Sequence, residues 1–123
     1  MNALKTAIYN ALSGISAPVY DHVPQGGAFP YVVIDYMDAA NAEFLNNRKE
    51  QILVYLSVYS TYRGQTEVFD IMSEIDTIMH NNRLSLSSGR LASMRVLAKD
   101  TNREPDGITY MGRVRLSALF EHG

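Results

Sequence analysis

The sequence predicts an α+β fold: an antiparallel four-stranded sheet with two helices packed on one face, in the order α-ββ-α-ββ, with long hairpin arms. Three observations carry this expectation. Two segments repeat apolar residues at the three- and four-residue steps of a core-facing helix. Three of the four strand segments are rich in β-branched and aromatic residues, and two of these alternate apolar with polar. Gly, Pro, Asn and Ser collect between them, and helices that alternate with strand pairs suit an antiparallel sheet covered on one side.

The first helix is expected over residues 3–12, where Leu4, Ile8 and Leu12 share a stripe with Ala7 and Ala11. Gly14 is a plausible stop. Residues 14–30 hold Gly14, Pro18, Pro24, Gly26, Gly27 and Pro30, and each proline biases its predecessor towards extended backbone. That predicts a defined strap over the surface. A strand follows over residues 31–37, and the polar stretch 38–49 reads as a hairpin arm or loop. In the second strand, residues 50–60, Ile52, Val54, Leu56 and Val58 line one face. Gln51, Tyr55, Ser57 and Tyr59 line the other, with Leu53 among them.

The second helix is expected over residues 65–81, on the stripe Val68, Ile71, Met72, Ile75, Ile78 and Met79. Glu67 and Asp70 sit in its opening turns, where the helix dipole favours negative charge. With Glu74 and Asp76 they are expected to form a solvated face. Strands over residues 90–99 and 108–120 complete the sheet and flank residues 101–107, whose Pro105-Asp106-Gly107 is strong turn chemistry. In the last strand Ile108, Tyr110, Val114, Leu116 and Phe120 alternate with Thr109, Arg113, Arg115 and Ser117, which predicts one buried and one wetter face.

A length of 123 residues suits a single domain, residues 1–123, with one core. Hydrophobic residues at 46% and charged residues at 20% are ordinary for a soluble globular chain. No apolar run reaches membrane-span length, and the N-terminus lacks the apolar core of a signal peptide. The absence of cysteine excludes disulfide scaffolds and thiolate metal sites. A net charge of −2 argues against non-specific nucleic-acid binding. The charge is divided, however. Residues 1–82 carry 4 Lys/Arg against 9 Asp/Glu, and residues 83–123 carry 7 against 4. Such a chain can meet a copy of itself head-to-tail with complementary fields, and contacts of that kind generate rings. Chance in a short chain accounts for the division equally well. A basic nucleic-acid-binding face is a weaker third reading, since Asp100, Glu104 and Asp106 interrupt it.

Residues for catalysis are not evident. His22, His80 and His122 show no metal-site spacing, and Asp21-His22 lacks an accompanying nucleophile motif. Gln25-Gly26-Gly27-Ala28 has neither the spacing nor the following helix of a dinucleotide site. No catalytic, metal or cofactor residue is therefore named, and the expectation is a protein that is not an enzyme. The anomaly is aromatic: 8 tyrosines against 4 phenylalanines and no tryptophan. Tyr55 and Tyr59 lie on the strand face opposite the apolar one. Tyrosine contributes large contact area at interfaces while its hydroxyl finds a partner. The plainer alternative is that both rings pair with Tyr36 or with arginine stems.

Three segments together resemble a known family. They are Val19-Tyr20-Asp21-His22-Val23-Pro24-Gln25-Gly26-Gly27-Ala28-Phe29-Pro30-Tyr31-Val32-Val33-Ile34, then Val58-Tyr59-Ser60-Thr61-Tyr62-Arg63-Gly64, then Glu104-Pro105-Asp106-Gly107-Ile108-Thr109-Tyr110-Met111-Gly112-Arg113-Val114-Arg115-Leu116. In order and spacing they are similar to phage and prophage tail-completion proteins, related to the tail terminators of gene transfer agents. Two departures stand out: Glu104 replaces an Asp common before the turn, and a His common near Tyr110 or Met111 is missing.

The resemblance implies a structural protein that forms a ring, usually of six subunits. The ring caps the tail tube, ends its polymerisation and joins the tail to a head-completion protein. DNA passes through the lumen only as cargo. The family has no cofactor and no catalytic residues. The implied partners are other copies of the chain, the tail tube protein and the head-completion or stopper protein, without a membrane. The implied location is the tail-neck junction of a virion assembled in the host cytoplasm. Phe44, Leu45, Arg48, Tyr55, Tyr59, Arg103, Asp106, Arg113 and Arg115 are the candidate assembly residues. Phe44 and Leu45 are an apolar pair in a polar arm, able to anchor a contact or to pack back on their own sheet. Alternatives are another tail-tube or minor tail component, or a small DNA-binding or regulatory domain.

Overall fold

A computed structural model describes residues 2–21, 28–41, 49–61, 65–80, 84, 86 and 89–121. The elements run α1 (Asn2–Ala11), β1 (Val19–Tyr20), β2 (Tyr31–Asn41), β3 (Lys49–Ser60), α2 (Thr66–Met79), β4 (Arg90–Arg103) and β5 (Tyr110–Glu121). The sheet has five strands in the order β1-β2-β3-β5-β4. All neighbours are antiparallel except β1, which runs parallel to β2.

The fifth strand corrects the expected four-stranded, wholly antiparallel sheet. It comes from the segment expected to be only a surface strap. Pro18 fixes the entry, and its carbonyl accepts the Val32 N–H at 2.9 Å. Val19 and Tyr20 then stand in register with Val32 and Val33. Two residues are too few to show any alternation.

Both helices cover one face, so one side of every central strand is apolar. On β3 this side is Ile52, Val54, Leu56 and Val58; on β5 it is Val114, Leu116, Ala118 and Phe120. Leu4, Ile8 and Leu12 of α1 pack into the same buried cluster, as do Val68, Ile71, Met72, Ile75 and Met79 of α2. The close approach of α2 depends on Gly112, which pairs with Val58. A Cβ there would lie 2.5 Å from Val68 Cγ1 and 2.8 Å from Met72 Sδ. These are separations that carbon and sulfur atoms do not tolerate.

The carboxylates of α2 are not simply a solvated face. Glu67 accepts the Ser60 hydroxyl at 2.6 Å, fastening the first turn to the end of β3. Glu74 accepts the Ser16 hydroxyl at 2.6 Å and its N–H at 3.3 Å, tying the segment after α1 to α2. Asp76 meets Lys99 of β4 at 2.6 Å. Asp70 alone of the four is exposed, and the others are half-buried. Helical spacing identifies the polar stripe, but it cannot show that neighbouring elements come within reach of it.

Strands β2 and β4 extend beyond their expected ends at Met37 and Lys99. Residues 42–48, the middle of the expected first arm, lie outside the described residues. Between β4 and β5 the Asp106 carboxylate accepts the N–H of Ile108 at 2.9 Å, the N–H of Thr109 at 2.8 Å and the Thr109 hydroxyl at 2.7 Å. Gly107 takes φ +78°, which glycine adopts without a Cβ penalty. The turn thereby reverses the expected burial. Ile108 is 65% exposed and Thr109 only 7%. Side-chain bonding to nearby backbone overrides the strand's alternation at its first residues.

Candidate assembly surface

The sheet face opposite the helices carries no packed element among the described residues. Its rows follow from the strand registers. One runs Tyr31–Tyr59–Met111–Asn102, the next Val33–Ser57–Arg113–Asp100, and a third Tyr36–Tyr55–Arg115–Ala98. Beyond these lie Asp38–Leu53–Ser117–Arg95 and Ala40–Gln51–Leu119–Ser93. The face ends at Lys49 and Arg90 on either side of Glu121. Glu121 lies 3.5 Å from Lys49 Nζ and accepts from Arg90 Nε at 3.0 Å. The hydrogen bond from Arg90 is the main cause that holds its carboxyl below the usual carboxylate range.

Aromatic rings run along this face. Tyr55 and Tyr36 have ring centroids 5.4 Å apart, and Tyr59 and Tyr31 are likewise 5.4 Å apart. Phe29 stacks on Tyr31 at 5.1 Å. The Arg115 guanidinium stands 5.4 Å from the centroid of the Tyr55 ring, within cation–π range. Tyr55 and Tyr59 therefore do pair with cross-strand rings and an arginine, and they do so on the uncovered side. Tyr36 remains 60% exposed.

Polar groups are set between the rings. Ser57 is buried and donates its hydroxyl to Asp35 at 2.7 Å. Burial is the main cause that raises the Tyr59 phenol above its ordinary value, and the nearby Asp35 charge adds to it. Arg113 points into the same region, and its Nε is buried without a hydrogen-bond partner among the described residues.

The remaining candidates lie apart from this cluster. Arg103, at the end of β4, covers the Tyr110 ring at 5.3 Å and donates to the Tyr110 hydroxyl at 2.9 Å. Asp106 holds the β4–β5 turn, and its bonds, first that from the Thr109 hydroxyl, keep its carboxyl below the ordinary value. Phe44, Leu45 and Arg48 lie outside the described residues, as do His22, His122 and residues 25–27. His80 accepts the Val96 N–H through Nδ1 at 3.1 Å, so it braces β4 from the end of α2. Among the described residues no three His, Asp or Glu side chains are grouped to hold a metal ion, and no helix is long and apolar enough to cross a membrane.

The sequence reading named Tyr36 as a pairing partner but missed Tyr31, the partner of Tyr59, and Asp35, the acceptor of Ser57. Strand β2 slips register between Ile34 and Tyr36, so Val33 and Tyr36 share the open face although their spacing is odd, and Ile34 and Tyr36 lie on opposite faces although theirs is even. Nothing in a short β-branched run signals such a bulge. The face as a whole offers rings, guanidinium groups and carboxylates spread over a broad surface, which suits contact with another macromolecule.

No match was found among curated proteins. Among solved structures, the chain is similar to one from the virion of a native gene transfer agent (GTA) particle, with a TM-score of 0.89. The two are 23% identical, and the match covers 98% of this chain and 96% of the other. That likeness shows a shared fold. A model of the family described as "Tail completion protein gp17" matches residues 3–121, nearly the full length. The chain belongs to the tail completion protein gp17 family.

Proposed function

We propose that this tail structural protein forms a ring, of six copies, that caps the tail tube, stops its growth and joins the tail to a head-completion protein. The observation that carries the reading is the uncovered sheet face. Both helices pack on one side, leaving five rows, four of which carry tyrosines, arginines or carboxylates, without a covering element among the described residues. A face of this composition is suited to a protein neighbour. Family membership and the fold shared with a chain of a gene transfer agent virion support a place in the tail. In this proposal the site is the tail-neck junction, assembly occurs in the host cytoplasm, and DNA crosses the lumen as cargo.

Tyr55, Tyr59, Arg113 and Arg115 supply contacts from the open face in this reading, and Arg103 and Asp106 act at the hairpin end. Phe44, Leu45 and Arg48 contribute from the arm on sequence grounds alone. Electron microscopy of the purified protein, alone and with tail tubes, tests the proposal. Closed rings seated on tube ends, with tubes held at one length, are expected. Tubes that keep elongating in excess protein refute the capping role. Strong, salt-sensitive binding to duplex DNA would favour a DNA-binding domain instead.

A further inference from the structure

We infer that successive copies of this chain meet edge to edge, with β2 of one copy beside β4 of the next, and that Asp38 and Arg95 form the ion pair between them. The inference rests on the ring reading and names the surface that would build the ring.

Both lateral edges of the sheet are open over long stretches. β1 covers β2 only at Val32 and Val33, so residues 34–41 have no outer strand partner among the described residues. β4 is the opposite edge, and its residues 97–100 are all exposed. Exposed edges of this kind invite another strand. Strands β2, β3, β5 and β4 alternate in direction. A neighbour in the same orientation therefore brings its β4 antiparallel to β2, and the alternation continues across the boundary.

The row ends fit one another. Asp38 and Arg95 terminate the same row, and neither has a hydrogen-bond or ion-pair partner among the described residues. Continuing the row places the Arg95 of the next copy opposite Asp38, where the two side chains can meet across the boundary. The adjacent row ends in exposed Tyr36 at one edge and in Ala98 at the other, a large ring against a small gap. The row beyond ends in Ala40 and Ser93, two small side chains.

Pairings of like edges are disfavoured. β2 against β2 brings Asp35 and Asp38 together, whereas β4 against β4 brings together Arg95, Arg103 and Lys99, the last already paired with Asp76, against the single carboxylate of Asp100. Like charges so placed are repelled. The charge difference between the two edges thus selects a head-to-tail contact, the kind that closes into rings. His80 already accepts the Val96 amide. At that point the contact is carried by side chains on the open face, because the outward amide is already taken.

The test uses the full chain with D38R, R95D and the double swap D38R/R95D. Association is measured by sedimentation and electron microscopy at low ionic strength, and folding by circular dichroism. Both positions are exposed, so all three variants are expected to fold. Each single reversal is expected to weaken association by about tenfold or more per contact. The double swap is expected to restore rings. Wild-type rings that persist in both single variants, or single losses that the double swap fails to recover, overturn the contact and leave the ring reading intact. A wild-type chain that stays monomeric with and without tubes overturns both.

Discussion

Gly112→Ala tests whether the seating of α2 on the sheet governs stability. The added methyl would lie 2.5 Å from Val68 Cγ1 and 2.8 Å from Met72 Sδ. Non-bonded carbons rest at about 3.5–4.0 Å, so the helix must retreat by roughly 1 Å or Val68 must leave its rotamer. Overpacking of this size costs about 1–3 kcal/mol. A domain of this length loses roughly 3–6 °C of Tm per kcal/mol, between the values for smaller and larger domains. The expected fall is therefore about 3–18 °C. Urea unfolding followed by circular dichroism should show a lower midpoint with unchanged slope. Val68→Ala removes one of the two obstructing groups at the expense of buried apolar surface. Combined with Gly112→Ala, it should cost less than the sum of the two single changes, by about 0.5–3 kcal/mol. A Gly112→Ala variant as stable as wild type, or strict additivity with Val68→Ala, would refute the claim that these atoms set the separation.

Two further outcomes follow from the packing and the turn. Leu116→Ala empties a fully buried site on β5 between Val54 of β3 and Val96 of β4, and it should lower unfolding stability by about 2–5 kcal/mol; a loss below about 1 kcal/mol in chemical denaturation would contradict the assigned core. Asp106→Ala removes the acceptor for three donors of the β4–β5 turn, so hydrogen exchange at the Ile108 and Thr109 amides should accelerate while the core stays protected. Because the folded Asp106 carboxyl titrates below its ordinary value of 3.8, its stabilising effect is fully present above that value. The effect should disappear as pH falls through the lower folded value. Amide protection in the turn that is indifferent to acid would argue against this role.

Much of the fold was legible from local pattern. The stripe Val68–Ile71–Met72–Ile75–Met79 and the alternation of Ile52, Val54, Leu56 and Val58 fix helix and strand, because burial on one side imposes the period of the backbone itself. The sequence also determined where Pro105-Asp106-Gly107 turns and which face of β3 carries Tyr55 and Tyr59. Tertiary structure alone decided the rest. β1 exists because two residues happen to lie along β2, which is a contact between segments rather than a property of either. The bulges at Ile34/Tyr36, Leu91/Ser93 and Val96/Ala98 reset side-chain parity, so no count of residues could place Asp38 and Arg95 on one face. Nor could helical spacing reveal that Glu67, Glu74 and Asp76 reach Ser60, Ser16 and Lys99. Periodicity is written in neighbouring residues, whereas strand order, register and long-range polar partners depend on how distant segments meet.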